Sequence, residues 1–166
     1  MLIDKNSTFS WDQAITVDAI SENVIDVLPV SGAVGAGSTG GPSSNSTVNK
    51  GAGQPMYLHI LVTTAFVKAS GTPTLDVTLE SDSAAALNSA AVVHWKTPAA
   101  ISEATLAAGY WIAKGVPIPP GDYKRYLGLR YTTNSADFNA GAVRAWLSPN
   151  RVDERTYESG YTTGIN

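Results

Sequence analysis

Apolar and polar residues alternate with a period of two along much of the chain, the signature of half-buried β-strands. In 57–66, Leu58, Ile60, Val62 and Phe66 fall on one face and Tyr57, His59, Leu61 and Thr63 on the other. After Pro73, Leu75, Val77 and Leu79 alternate with Thr74, Asp76, Thr78 and Glu80. Leu127, Leu129 and Tyr131 alternate with Tyr126, Gly128 and Arg130, and Val143, Ala145 and Leu147 with Ala142, Arg144 and Trp146. Shorter strands are expected at 14–17, 24–28, 91–95 and 110–118, all rich in β-branched and aromatic residues. Ser70-Gly71-Thr72-Pro73, Pro119-Pro120-Gly121-Asp122 and Asn139-Ala140-Gly141 read as turns. The Ala-rich stretch 82–91 is the one helical candidate, with Ser81 or Asp82 as its cap. About eight short strands at this spacing predict an all-β, jelly-roll-like sandwich.

Two segments break the pattern. Residues 29–55 are dense in Gly, Ser, Thr and Asn and hold almost no large apolar side chain. Such a segment buries too little to offset its ordering entropy, so it reads as a long loop. Residues 149–166 form a polar tail of the kind that usually frays, with ordering of its spaced aromatics Tyr157 and Tyr161 on a neighbouring subunit as the alternative. The division is therefore one β-sandwich domain, 1–148, and a C-terminal arm.

Composition narrows the function. The 166 residues contain no cysteine, which excludes disulfides, thiolate metal sites and cysteine nucleophiles. A net charge of −3 gives no broad attraction to nucleic acid. No apolar run reaches the ~18 residues of a membrane helix, and residues 1–8 lack the apolar core of a signal peptide. Charged residues make up 15% of the chain, against roughly 25% in ordinary soluble domains, a balance that suits packing against neighbours and a robust β-domain equally.

Candidate chemistry is sparse. Gly35-Ala36-Gly37-Ser38-Thr39-Gly40 matches a dinucleotide-binding pattern, but Gly41-Pro42-Ser43-Ser44 follows where a helix must begin. No cofactor is expected. The two histidines, His59 and His94, are too few for a cupin-type metal centre. Both read as surface or interface residues, His59 because it faces away from Leu58, Ile60 and Val62. Asp76, Glu80 and Asp82 share a strand face that reads as solvated, with a hard-cation site as the alternative. No nucleophile elbow supports a hydrolase, though counts alone leave a Ser-His-Asp triad open. What remains is a set of large side chains on outer strand faces: Tyr57, His59, Leu61, Arg144 and Trp146, with Tyr157 and Tyr161 in the arm. Trp and Arg dominate interface hot spots, so these residues are candidates for a protein interface. Cover by a loop of the same chain is the competing reading.

An ordered set of motifs carries a resemblance. It opens with Leu2-Ile3-Asp4-Lys5, Phe9-Ser10, Gln13-Ala14-Ile15-Thr16 and Ser21-Glu22-Asn23-Val24-Ile25-Asp26. Pro55-Met56-Tyr57-Leu58 and Thr74-Leu75-Asp76-Val77-Thr78-Leu79-Glu80-Ser81-Asp82 follow. Lys124-Arg125-Tyr126-Leu127-Gly128-Leu129-Arg130-Tyr131 and Phe138-Asn139-Ala140-Gly141 complete it. In order and spacing, 1–148 resembles the capsid cement (decoration) proteins of tailed bacteriophages. The resemblance implies a jelly roll that forms a homodimer on the outside of a phage head. It also implies a major capsid protein of the HK97-type fold as partner, virion localisation after synthesis in the bacterial cytoplasm, and no catalysis. The loop 29–55 looks longer than the family's, and the arm looks appended. The alternatives are a carbohydrate- or receptor-binding β-sandwich of a virion and a β-sandwich hydrolase.

Overall fold

A computed structural model describes residues 5–27, 48–49 and 55–149. Most of the loop 29–55 and nearly all of the arm, Tyr157 and Tyr161 included, lie outside the described residues. Among the described residues, twelve strands run β1 (Thr8–Ala14), β2 (Ala19–Ile20), β3 (Ile25–Asp26), β4 (Val48–Asn49), β5 (Tyr57–Lys68) and β6 (Thr74–Asp82). They continue β7 (Val92–Lys96), β8 (Ile101–Ser102), β9 (Trp111–Pro117), β10 (Asp122–Tyr123), β11 (Tyr126–Asn134) and β12 (Phe138–Ser148).

Two sheets hold nearly all of them. The first has the order β1-β12-β5-β9; the second has β2-β11-β6-β7, with β3 also on β11 and β8 also on β6. β2 and β3 are two pieces of one line along β11, as β7 and β8 are along β6. Ser21 joins the first two pieces: its N–H donates to the Leu129 carbonyl at 2.8 Å, and its Oγ accepts the Leu129 N–H at 3.1 Å. With β4 and β10 set aside as a separate two-stranded ribbon, eight lines remain. Numbered along the chain, they lie in the orders 1-8-3-6 and 2-7-4-5, the arrangement of a jelly roll.

The period-two pattern explains the packing. Opposed residues Val143↔Val62, Ala145↔Ile60 and Leu147↔Leu58 point inward from the first sheet. Leu75, Val77, Leu79, Leu127, Leu129 and Tyr131 meet them from the second. Complete burial of each Leu, Ile or Val contributes roughly 1.5–3 kcal/mol. A buried polar contact between the sheets joins Tyr131 Oη to Ser10 Oγ at 2.8 Å.

Every sheet edge is irregular. β1 has two register shifts, and β9 also has two, one of them at Gly115, whose φ is +65°. β7 shifts between Trp95 and Val93, and the β2/β3 line is interrupted. These irregularities explain why β1 does not show as a clean alternation: Asp12 sits at φ +56° within it. The strand expected at 14–17 is thus displaced to Thr8–Ala14.

Two further expectations are corrected. Residues 82–91 form turns, not a helix. Asp82 does cap, but it caps a loop: its carboxylate accepts the N–H groups of Ser83 and Ser89, both at 2.6 Å. Burial pushes that carboxyl up; these N–H groups outweigh it and hold it below the ordinary value. Leu87 and Ala90, both at positive φ, are incompatible with a continuing helix. Asn139-Ala140-Gly141 lies inside β12 as an irregular stretch, and the chain reverses instead at 135–137.

Candidate functional site

The two outer faces of the sandwich differ in kind. On the second sheet, Arg130 pairs with Glu80 at 3.0 Å and Lys96 with Asp76 at 3.8 Å. Thr78 Oγ1 donates to Glu80, and Asn134 and Thr97 donate to Asp76. The carboxylates read as a solvated face or cation site are therefore committed to side chains of their own sheet, and Asp82 to its loop. Among the described residues, no cluster of three metal-ligating side chains occurs.

The outer face of the first sheet is aromatic. The register sets Trp146 opposite His59, Arg144 opposite Leu61 and Ser148 opposite Tyr57. Five of the sequence candidates thus share one surface. His59 and Trp146 stack at 5.2 Å with an interplanar angle of 18°. Trp111 from β9 closes on both edge-on, 5.9 Å from Trp146 and 6.3 Å from His59. From β1, Trp11 lies beneath the Arg144 guanidinium at 3.9 Å, and Arg144 also pairs with Asp12 at 2.5 Å. Such a guanidinium–indole contact is attractive through the ring quadrupole. The hydrogen bond from Arg144 holds the Asp12 carboxyl below its ordinary value, against the opposing effect of burial.

Exposure separates the candidates. His59 is 0% exposed and Trp146 4%, so neither is the surface group that alternation implied. Both occupy the outer face as expected, but neighbouring rings cover them. Alternation assigns a face; it does not reveal that Trp111 and Trp146, distant in sequence, close over His59. Gly115 completes the setting of the histidine: the bulge turns its N–H onto His59 Nδ1 at 3.1 Å. Tyr57, Leu61 and Arg144 are half-buried, and Trp11 is the prominent exposed ring at 51%. Trp11, Asp12 and Trp111 escaped the sequence reading. The available signal was that three of the four tryptophans lie at alternating or edge positions of strands that pair with 57–68 and 138–148. Trp146 Nε1 and Arg144 Nε are among the buried side-chain atoms of this face without a hydrogen-bond partner among the described residues.

His94 and His59 belong to different sheets and do not meet. His94 Nε2 lies 2.6 Å from Ser81 Oγ, a distance suited to a nucleophile and its base. Ser81 is 0% exposed, however, and its oxygen also accepts the Lys124 N–H at 3.0 Å. The imidazole stacks on Tyr123 at 3.8 Å, and burial lowers its pKa. The same burial raises the Tyr123 phenol to about 12 while its hydroxyl donates to the Pro119 carbonyl. This cluster braces the loop leading into β11 and gives a substrate no path to Ser81.

Residues 9–147 match the family model described as Bbp16. No curated protein matches the chain. Among the described residues, no helix is long and apolar enough to cross a membrane.

Proposed function

The chain belongs to the Bbp16 family, a phage-related family, and on that premise we propose that it is a capsid cement protein. It binds the outside of a phage head as a dimer and clamps adjacent subunits of a major capsid protein of the HK97-type fold. The contrast between the two outer faces carries this reading. On both faces charges pair within the chain, Arg130 with Glu80 and Arg144 with Asp12, but one face is mostly polar. The other presents Trp11, Arg144 and Leu61 above a packed floor of His59, Trp146 and Trp111. Exposed indole and guanidinium on a rigid sheet are the chemistry of a protein-binding hot spot.

Clamping follows from valence. A two-fold dimer offers the same patch twice, and engagement of one capsomer raises the effective concentration of the second site. Overall avidity then exceeds the single-site affinity by about 10²–10⁴ without any new contact. The test is sedimentation of the purified protein alone and with empty shells of its source phage. Saturable co-sedimentation of a dimer is expected. A monomer that stays in the supernatant at every shell concentration overturns the reading, and binding to a glycan array in that case transfers the function to carbohydrate recognition.

A further inference from the structure

We propose that Trp11 is the anchor of the capsid contact, entering an apolar recess of the partner, and that Arg144 and Asp12 are positioning residues that fix its ring before contact. The inference rests on the cement reading and deepens it by naming the residue that enters the partner and the kind of surface that receives it.

The geometry begins with a bulge. Ser10 lies opposite Ala145 and Gln13 opposite Val143, so Trp11 and Asp12 together face the single residue Arg144. A bulge of this kind bends the strand and re-aims a side chain. Arg144 engages both residues: its guanidinium lies 3.9 Å from the centre of the Trp11 ring and 2.5 Å from the Asp12 carboxylate. Asp12 is held at φ +56°, a left-handed backbone uncommon outside glycine and enriched in Asp and Asn. Side chains tie down the rest of the bulge. The Trp11 N–H donates to the Glu22 carboxylate at 3.3 Å, and the Glu22 N–H donates to Gln13 Oε1 at 3.0 Å. Ser10 Oγ donates to the same Gln13 oxygen at 2.6 Å.

The bulge so fixed exposes an indole. Trp11 is 51% exposed, the largest of the exposed apolar side chains among the described residues. Protection of the sheet edge explains a bulge but not this residue, since edges are blunted by charge, proline or twist. Strained backbone that its surroundings over-determine clusters at functional sites, and a ring fixed before contact loses less freedom on binding. The guanidinium covers one face of the ring, so the opposite face and the ring edge are left for a partner, and an apolar recess matches them. Arg125 over Tyr126 is also a charge–ring pair, at 5.0 Å. Tyr126 is half-buried, however, and pairs in unbroken register with Asp26 and Asp82, so no bulge turns that ring outward.

The test is a titration of whole-chain variants against empty shells of the source phage, read by co-sedimentation. Trp11→Ser should weaken binding by at least about 30-fold, the scale of a hot-spot tryptophan, while its thermal melt stays near that of the wild type. Trp11→Phe should recover part of the loss. Arg144→Lys keeps the charge but loses the flat stacking plane. It should weaken binding by about two- to tenfold, the cost of ordering one side chain on contact. The double variant separates positioning from contact: with Trp11 already replaced by serine, Arg144→Lys should cost nothing further. Additive losses overturn the positioning role. Arg125→Gln on the opposite sheet should bind as the wild type does, and a loss equal to that of Arg144→Lys overturns the assignment to this face. Shell binding by the wild type with no loss in Trp11→Ser overturns the proposal and leaves the cement reading standing. A wild type that ignores shells overturns both.

Discussion

Replacing Gly141 with alanine tests how tightly the two long central strands are joined. A Cβ at this position would stand 2.5 Å from Cδ1 and Cγ of Phe66 and 2.8 Å from its Cδ2. Carbon atoms rest at about 3.5–4.0 Å, so the ring must withdraw by about 1 Å. It has little room, because Phe138 packs edge-on against it at 4.8 Å and 77°. Overpacking of this kind costs about 1–3 kcal/mol. The backbone adds a second cost, since Gly141 adopts φ +150°, a region nearly restricted to glycine and worth about 1–3 kcal/mol. Together, Gly141→Ala should lose about 3 kcal/mol, which for a chain of this length lowers Tm by about 6–12 °C. Urea unfolding followed by tryptophan fluorescence gives the loss directly, as a lower midpoint at unchanged slope. A loss below about 1 kcal/mol refutes the reasoning. A double-mutant cycle separates the two costs: in a Phe66→Leu background the penalty should shrink by about 1 kcal/mol or more, leaving the backbone part.

Two other outcomes are expected. Ser10 Oγ gives its proton to Gln13 Oε1, whose amide is fixed by its own bond to the Ile20 carbonyl, so Tyr131 must be the donor to Ser10. Tyr131→Phe should therefore cost about 1–2 kcal/mol by leaving a buried acceptor unfilled; an unchanged denaturation midpoint would contradict that assignment. Burial holds the His94 imidazole below 6.5, so in the unfolded chain it binds a proton at a pH where the folded chain refuses it. Stability should then fall as pH drops from above 6.5 toward the folded value and level off below it. His94→Gln keeps an acceptor for Ser81 and should show a shallower decline in melts across that window; an identical pH dependence would remove His94 as the cause.

Much of the framework was legible in sequence because 58–62, 74–79, 127–131 and 143–147 alternate cleanly within long paired strands, although β12 and β5 shift register three times at one end. The jelly-roll order follows once these long strands are placed. Strand β1 was hidden because its bulges displace the period just where Trp11 and Asp12 lie. Alanine-rich 82–91 looked helical because local propensity favours a helix, but the Asp82 carboxylate holds the loop in turns. The face of His59 was read correctly and its burial was not. Burial arises from rings on β9 and β12 that only the sheet order brings together. Phe66 explains the false turn at 139–141 in the same way: glycine there makes room for a ring on the neighbouring strand.

The irregular edges carry a consequence for copies held close together. An open, straight edge is a template on which the next molecule adds a strand, and addition repeats without limit. Here each border is kinked or broken: two shifts in β1, the left-handed Gly115 in β9, the shift in β7, the gap between β2 and β3. The chain is thus a tile with no tongue and groove. Such borders are poor templates for strand addition, so crowded copies are not expected to grow into ribbons edge to edge.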